Sequence, residues 1–124
     1  NAALAAARLL APKSKIISIF QPHRYSRIKD LFNDFCSCFN DADYVFLLDV
    51  YPAGEEPLKG FESTDLKNGL LKYGHKNVSY IESKKALIRE TLKIISPNDI
   101  IICLGAGSIT KIANTLEKEL YNGS

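Results

Sequence analysis

The chain has 124 residues, of which 46% are hydrophobic and 24% are charged, and its formal net charge is +2. This composition fits a single globular domain, residues 1–124, and argues against a disordered or fibrous chain. The charge is too small for a protein that coats nucleic acid, and the hydrophobic runs are far shorter than the roughly 20 residues that span a bilayer. We therefore expect neither a nucleic-acid partner nor a membrane segment.

The cysteines and the start of the chain indicate a cytoplasmic origin. The three cysteines form neither an even set nor a CxxC pair, which argues against a disulfide framework. Cys36 and Cys38 lie in a predicted helix, where a step of about 100° per residue turns them to different faces, so a shared metal is not expected. The chain lacks Met and signal-peptide regions, and we expect it to be a piece of a longer cytoplasmic protein.

The first predicted elements form a helix followed by a βα unit. An Ala- and Leu-rich pattern from Ala2 to Leu10 predicts a helix that stops before Pro12. The hydrophobic run from Ile16 to Phe20 is typical of a strand covered on both faces. After the polar stretch 21–27, hydrophobic residues recur every three or four positions, which predicts a helix.

A second βα unit follows, with a longer connection. Tyr44 to Val50 is a predicted buried strand. The loop that follows, from Tyr51 to Gly60, is longer than the usual two to six residues of such connections, and long loops are often functional. Ser63 or Thr64 can cap the next helix, which is predicted to end near Gly74.

The remaining elements repeat the alternation. Val78 to Ile81 is a short third strand, with an edge position as one option. Ser83 can cap a fourth helix, from Lys84 to Ile95. Its predicted hydrophobic positions are Ile88, Leu92 and Ile95. Ile100 to Leu104 is the last strand, and a final helix runs to about Leu120.

Four hydrophobic strands alternating with helices predict an α/β fold that is Rossmann-like, with a mostly parallel sheet and helices on both faces. Ligands of such sheets bind beyond the carboxyl ends of the strands. In this chain those ends lead into loop one (residues 21–27), loop two (residues 48–57) and loop three (residues 105–111). These loops are therefore the candidate site.

Loop one carries the strongest cationic pattern. His23, Arg24 and Arg27 lie within five positions at a strand end, and the two arginines can share a face if a helix starts near Ser26. A charge-assisted hydrogen bond contributes about 1.5 to 3 kcal/mol, enough to hold a carboxylate or phosphate. The alternative is a solvated basic turn.

Loop two carries the acidic candidates. Asp49 stands at a strand end, where it could orient an ammonium, a ribose hydroxyl or an arginine of loop one. Glu55 and Glu56 fit a solvated acidic surface equally well. His75, in a later turn, is interpreted as a solvated turn residue.

Loop three begins like a dinucleotide fingerprint, but Thr110 stands where a third glycine belongs. Gly105 and Gly107 predict a tight turn that allows a backbone or a ligand to approach closely, and an anion near Ser108 at the helix N-terminus is an option. The chain contains neither a P-loop nor a metal-ligand cluster, so no metal site is predicted and nucleotide chemistry is expected elsewhere.

Four strings carry a resemblance to a known family. They are Phe20 to Arg27 (FQPHRYSR), Leu31 to Phe35 (LFNDF), Asp49 to Glu55 (DVYPAGE) and Gly105 to Ile109 (GAGSI). In sequence and order they resemble the C-terminal domain of the Mur ligases, and within that family the branch that joins L-alanine to UDP-N-acetylmuramate. The resemblance covers essentially the whole chain, although Ser108 and Thr110 stand where the family often has Asn and Gly.

The resemblance implies an ATP-dependent ligase of cytoplasmic peptidoglycan biosynthesis that works through an acyl phosphate. Such ligases have an N-terminal domain for the UDP-sugar, a central domain that holds ATP and Mg²⁺, and a C-terminal domain that closes over the cleft. This chain corresponds to the last of these and lacks the other two. Alone, it is expected to be inactive.

The resemblance also implies roles for the loop residues. Arg24 and Arg27 would grip the alanine carboxylate or compensate charge at the acyl phosphate, and His23 would position the amino acid. Asp49 and Tyr51 would shape the cleft wall. Selectivity among alanine, glycine and serine stays open, because one methyl group is worth only about 1 to 3 kcal/mol of discrimination. The competing hypothesis is a non-catalytic Rossmann-like nucleotide-binding module.

Overall fold

The computed structural model describes residues 2–37, 39–105 and 109–122. Helices and strands alternate along these residues. They are α1 (Ala2–Leu10), β1 (Ile16–Gln21), α2 (Tyr25–Ser37), β2 (Tyr44–Leu47), α3 (Ser63–Lys72), β3 (Val78–Tyr80), α4 (Lys84–Ile94), β4 (Ile100–Gly105) and α5 (Ile109–Asn122).

The strands form one parallel sheet in the order β3-β2-β1-β4. In the central strand β1, Ile19 lies opposite Phe46 of β2 on one side and opposite Cys103 of β4 on the other. The short strand β3 is at an edge. The parallel α/β arrangement predicted from the hydrophobic runs is therefore confirmed.

Side chains of β1 alternate between two cores, one on each face of the sheet. Ile16 and Phe20 pack with residues of α1 and α3, including Leu4 and Leu66. Ile17 and Ile19 belong to a second core that includes residues of α4 and α5. Helices thus cover both faces, as expected from strands with few polar residues.

Strand β2 ends at Leu47, three residues before the predicted end at Val50. The carbonyl oxygen of Leu48 accepts a hydrogen bond from the Ser63 hydroxyl instead of from a neighbouring strand. The hydrophobic character of Leu48 and Val50 reflects burial, since both are 7% exposed. Burial alone does not reveal where a hydrogen-bonded ladder stops.

The predicted cap of α3 is wrong. Glu62 is the N-cap residue, and its backbone N–H donates to Asp65 Oδ2 at 3.0 Å. Ser63 is the first helical residue and is buried. It does not cap the helix, because its hydroxyl donates a hydrogen bond to the Leu48 carbonyl oxygen. By contrast, the predicted cap of α4 is confirmed, since Ser83 Oγ accepts a hydrogen bond from the Ala86 N–H at 3.1 Å.

The predicted inner face of α4 is wrong at Leu92, which is 44% exposed, although Ile88 is partly buried against the core as predicted. Ala86, Leu87 and Thr91 are the buried residues of this helix. The Thr91 hydroxyl donates to the Leu87 carbonyl oxygen at 2.7 Å, so a polar residue can be buried without losing its hydrogen bond. A search for hydrophobic residues alone overlooks such a threonine.

His75 is not merely a solvated turn residue. It is half-buried, and its Nε2 lies 2.7 Å from the Ala42 carbonyl oxygen. Its Nδ1 accepts a hydrogen bond from the Asn77 N–H at 3.2 Å. Because a carbonyl only accepts, the proton must lie on Nε2. His75 therefore links the turn before β3 to the turn before β2.

The structure describes one cysteine side chain in detail. Cys103 is half-buried in β4, and burial raises the pKa of its thiol, which fits an unreactive residue. Cys38 and the side chain of Cys36 lie outside the described part of the chain.

Candidate functional site

Loop one and loop two are joined by backbone hydrogen bonds beyond the ends of β1 and β2. The Tyr51 N–H donates to the Pro22 carbonyl oxygen and the Arg24 N–H to the Tyr51 carbonyl oxygen, each at 2.8 Å. His23 and Tyr51 pair as a parallel bridge. Carboxyl ends of adjacent parallel strands thus place the two predicted loops side by side.

The side chains of His23 and Tyr51 extend this contact. Their rings are stacked, with centroids 5.8 Å apart and an interplanar angle of 26°. Tyr51 is 40% exposed, so the pair presents an aromatic surface to solvent. This arrangement can bind a small molecule through its ring face and through the imidazole nitrogens.

Both arginines of loop one are exposed and make no ion pair with a described residue. Arg24 lies just before α2 with a φ angle of 65°, in the left-handed region that residues other than glycine rarely adopt. Such conformations persist where surrounding contacts hold them and are frequent at functional sites. The two guanidinium groups are thus available for an anionic ligand.

The helix N-terminus beside these arginines is already occupied by a side chain of loop two. Glu55 Oε2 accepts a hydrogen bond from the Ser26 hydroxyl at 2.6 Å, and Glu55 Oε1 accepts one from the Ser26 N–H at 3.2 Å. These hydrogen bonds, with the nearby Arg24, lower the pKa of Glu55. Glu55 is therefore not a simple solvated acidic residue, and it takes the place that an anion would have at this helix.

Asp49 contacts a residue that sequence reasoning did not select. Its carboxylate accepts a hydrogen bond from the Tyr80 hydroxyl, and that bond, with burial and nearby carboxylates, raises the pKa of Tyr80 to about 12. Among the described residues, neither loop-one arginine pairs with Asp49. The sequence feature that could have identified Tyr80 was its position at the end of a predicted strand, where ligand-binding residues of parallel sheets lie.

Asp49 also lines a cleft of about 360 Å³ between loop two and the start of α3. Tyr25 and Glu62 lie on its walls, together with Tyr80. Burial raises the pKa of Tyr25, and the negative charges of Glu62 and Asp49 raise it further. The cleft is thus electronegative, which suits an ammonium group better than a carboxylate.

Asp49 also lines a second cleft, of about 240 Å³. Lys84 from the start of α4 and Lys111 from the first turn of α5 both line it, as does Glu82. Lys84 was not identified from the sequence. Asp49 therefore lines two clefts whose other charged residues differ in net sign, Glu62 in the first and the two lysines with Glu82 in the second.

Gly105, the first residue of loop three, has a steric role. Gly105 has a φ angle of +127°, and a Cβ atom added there would lie 2.2 Å from the Gln21 carbonyl oxygen. The close approach at Gly105 is thus to the backbone of β1. Gly107 and Ser108, also predicted for this site, lie outside the described residues.

Searches for a metal site and a membrane span gave no candidate within residues 2–37, 39–105 and 109–122. No group of three or more His, Cys, Asp or Glu side chains could hold a metal ion there. None of the described helices is both long enough and hydrophobic enough to cross a bilayer.

Together, the parallel sheet and the joined loops define an α/β domain with a candidate ligand site at its carboxyl edge. The family described as Mur ligase, glutamate ligase domain, matches residues 1–107. The chain belongs to the Mur ligase family.

Similar proteins carry a consistent name. A protein from Rhodospirillum rubrum is 49% identical over 110 residues, which cover 89% of this chain and 23% of that protein. A protein from Roseobacter denitrificans is 44% identical over 123 residues, which cover 99% of this chain and 26% of that protein. Both are named UDP-N-acetylmuramate–L-alanine ligase. The chain thus spans about a quarter of the length of these relatives.

A solved structure shares the fold. It is a domain of a protein from Haemophilus ducreyi described as a UDP-N-acetylmuramate:L-alanyl-gamma-D-glutamyl-meso-diaminopimelate ligase. The TM-score is 0.65 at 19% sequence identity, and the match covers 96% of this chain and 79% of that one. At this identity the likeness concerns the fold alone.

Proposed function

We propose that this chain is the C-terminal domain of an ATP-dependent ligase that joins L-alanine to UDP-N-acetylmuramate in peptidoglycan biosynthesis. The observation that carries the proposal is the 44 to 49% identity, over most of this chain, to proteins named for that activity. The parent protein would contain two further domains, one for the UDP-sugar and one for ATP, and would work in the cytoplasm.

The joined loops suit the binding of a small amino acid. Alanine is a zwitterion, so its site needs a cation for the carboxylate and an acceptor for the ammonium group. Arg24 and Arg27 provide exposed guanidinium groups that are free of ion pairs with described residues, and Asp49 provides an acceptor at the next strand end. The His23–Tyr51 stack would form the wall between them.

The reaction joins the alanine nitrogen to the muramoyl carboxyl carbon. The deprotonated amine attacks the carbonyl carbon of the acyl phosphate, a C–N bond forms, the C–O bond to phosphate breaks, and the amine loses a proton. Arg24 and Arg27 would hold the nucleophile in place and offset the developing negative charge.

The chemistry of ATP and Mg²⁺ is assigned to the other domains of the parent. The support for this assignment comes from the sequence, which has no P-loop to hold the phosphates of a nucleotide. Gly107 and Ser108, which lie outside the described residues, are retained from the sequence as a proposed anion-binding segment.

The test is a phosphate-release assay on the full-length parent with ATP, Mg²⁺ and UDP-N-acetylmuramate, adding L-alanine, glycine or L-serine in turn. We expect release that depends on L-alanine and that collapses in the Arg24→Ala, Arg27→Ala double variant. A folded parent that releases no phosphate in response to any of the three amino acids would refute the proposal.

A further inference from the structure

The proposed function assigns no role to the contacts between Glu55 and Ser26. Glu55 lies in loop two, yet its carboxylate reaches the first turn of α2, next to the arginines of loop one. Ala53 and Gly54 have φ angles of 50° and 89°, and the Glu55 N–H donates to the Pro52 carbonyl oxygen at 3.0 Å. This tight turn directs the Glu55 side chain back toward α2.

The first N–H groups of a helix have no partner within the helix. At α2 the Ser26 N–H is satisfied by Glu55 Oε1, and the Ser26 hydroxyl by Glu55 Oε2. The Arg24 N–H donates instead to Tyr51 in loop two. Two separate contacts from loop two therefore hold the short segment that carries Arg24 and leads to Arg27.

We propose that Glu55 is a positioning residue that aligns Arg24 and Arg27 with the bound amino acid by capping α2 from loop two. This inference rests on the proposed function, because the arginines are the proposed ligands of the alanine carboxylate. Glu55 does not touch the substrate. Its carboxylate fills the helix N-terminus, so the alanine carboxylate is left to the guanidinium groups.

The adjacent residue supplies a matched control. Glu56 is exposed and makes no ion pair with a described residue, so Glu56→Ala removes the same charge one position away. Ser26→Ala removes the partner hydroxyl from the other side of the contact. Ser26→Thr retains a hydroxyl and should restore the behaviour of the unaltered protein.

The first measurement is amide hydrogen exchange on the 124-residue chain. Glu55→Ala should speed exchange at the Ser26 N–H by about tenfold or more, whereas Glu56→Ala should leave it unchanged. Equal exchange in both variants would show that the cap does not exist in solution, and the proposal would be rejected.

The second measurement is kinetic and uses the full-length parent. Glu55→Ala and Ser26→Ala should raise the KM for L-alanine by about tenfold, with the KM for ATP within about twofold, because misplaced ligands weaken one substrate selectively. Glu56→Ala and Ser26→Thr should match the unaltered enzyme. A variant that is only less stable would lose turnover without this selective rise in KM.

The outcomes separate this inference from the proposed function. If the unaltered parent uses L-alanine and Glu55→Ala leaves its KM for L-alanine unchanged, Glu55 is only a helix cap and the positioning role is wrong. If the unaltered parent shows no alanine-dependent turnover, the proposed function fails, and the positioning role fails with it. The exchange experiment would still report whether the cap exists.

Discussion

The carboxylate of Asp43 accepts a hydrogen bond from the Arg8 guanidinium at 2.7 Å and thereby ties α1 to the start of the sheet. The same oxygen, Oδ2, accepts the Ile16 N–H at 2.7 Å, at the first residue of β1. Burial opposes ionisation of this carboxyl, but the Ile16 and Arg8 contacts outweigh it and lower the pKa of Asp43.

We expect Asp43→Ala to lower the free energy of unfolding at pH 7 by about 1 to 3 kcal/mol, the usual cost of losing hydrogen bonds to a charged group. Because the pKa of Asp43 is lower in the folded protein than in the unfolded chain, where it is about 3.9, its contacts stabilise the fold fully at a pH above that value. The stabilisation is lost as the pH falls through the folded pKa. Urea titrations should therefore show the difference shrinking below about pH 4. Asp30→Asn, on the exposed side of α2, is the control, and a difference independent of pH would contradict the expectation.

Tyr80 should be detectable by its late ionisation. Its pKa is raised to about 12, first by the hydrogen bond to Asp49. Because the pKa of Tyr80 is higher in the folded protein than in the unfolded chain, where it is about 10, the contact stabilises the fold fully at a pH below about 10. The stabilisation is lost as the pH rises through the folded pKa. An ultraviolet absorbance titration should show a final tyrosine step near pH 12 that Tyr80→Phe removes and Tyr73→Phe keeps. Because the pKa of Tyr25 is raised as well, the decisive quantity is the amplitude of the late step: an amplitude that Tyr80→Phe leaves unchanged would rule out the Tyr80–Asp49 contact.

Gly105→Ala should destabilise the fold more than Gly74→Ala does. Both glycines have positive φ angles, but only at Gly105 would the new Cβ meet another atom within 4 Å, the Gln21 carbonyl oxygen at 2.2 Å. The steric clash should add about 1 to 3 kcal/mol to the backbone cost that the two variants share. Thermal denaturation of both variants measures the difference, and equal losses would mean that β1 and β4 are less closely packed at this point.

Leu87 and Leu92 test which face of α4 is buried. Leu87 is 1% exposed and Leu92 is 44% exposed. Leu87→Ala should cost about 2 to 5 kcal/mol, and Leu92→Ala about 0.5 kcal/mol or less. Chemical denaturation measures the loss in the free energy of unfolding of each variant. A larger loss for Leu92→Ala than for Leu87→Ala would instead support a buried face that includes Leu92.

The isolated chain should not bind ATP or NAD. Gly105, the one described glycine of loop three, already packs against the backbone of Gln21, so it does not provide the free approach that a dinucleotide loop needs. Calorimetric titration of the 124-residue chain should show no heat of binding for either nucleotide. A measurable affinity would favour the nucleotide-binding module over a ligase domain that completes its site only with its partner domains.

Much of the fold could be predicted because its strands are nearly continuous hydrophobic runs. Ile16 to Phe20 and Ile100 to Leu104 have no plausible place except inside a sheet covered on both faces. The cap at Ser83 was predictable too, because it depends on a few neighbouring residues. The end of β2, the cap at Glu62 and the buried Thr91 were not, because each depends on a partner elsewhere or on a hydrogen bond that polarity alone does not reveal.

For the candidate site, the sequence predicted that loops one, two and three lie at one edge of the sheet, since the carboxyl ends of parallel strands share an edge. It also placed His23, Arg24 and Asp49 at that edge. The strand order and the side-chain contacts at this edge came from the folded domain: Glu55 reaches Ser26, and Tyr80 reaches Asp49, across 29 and 31 positions of the chain. Hydrophobic periodicity reports how each residue relates to its own helix or strand. Pairings between distant polar side chains depend on the angle of each loop, which is set by packing of the whole domain.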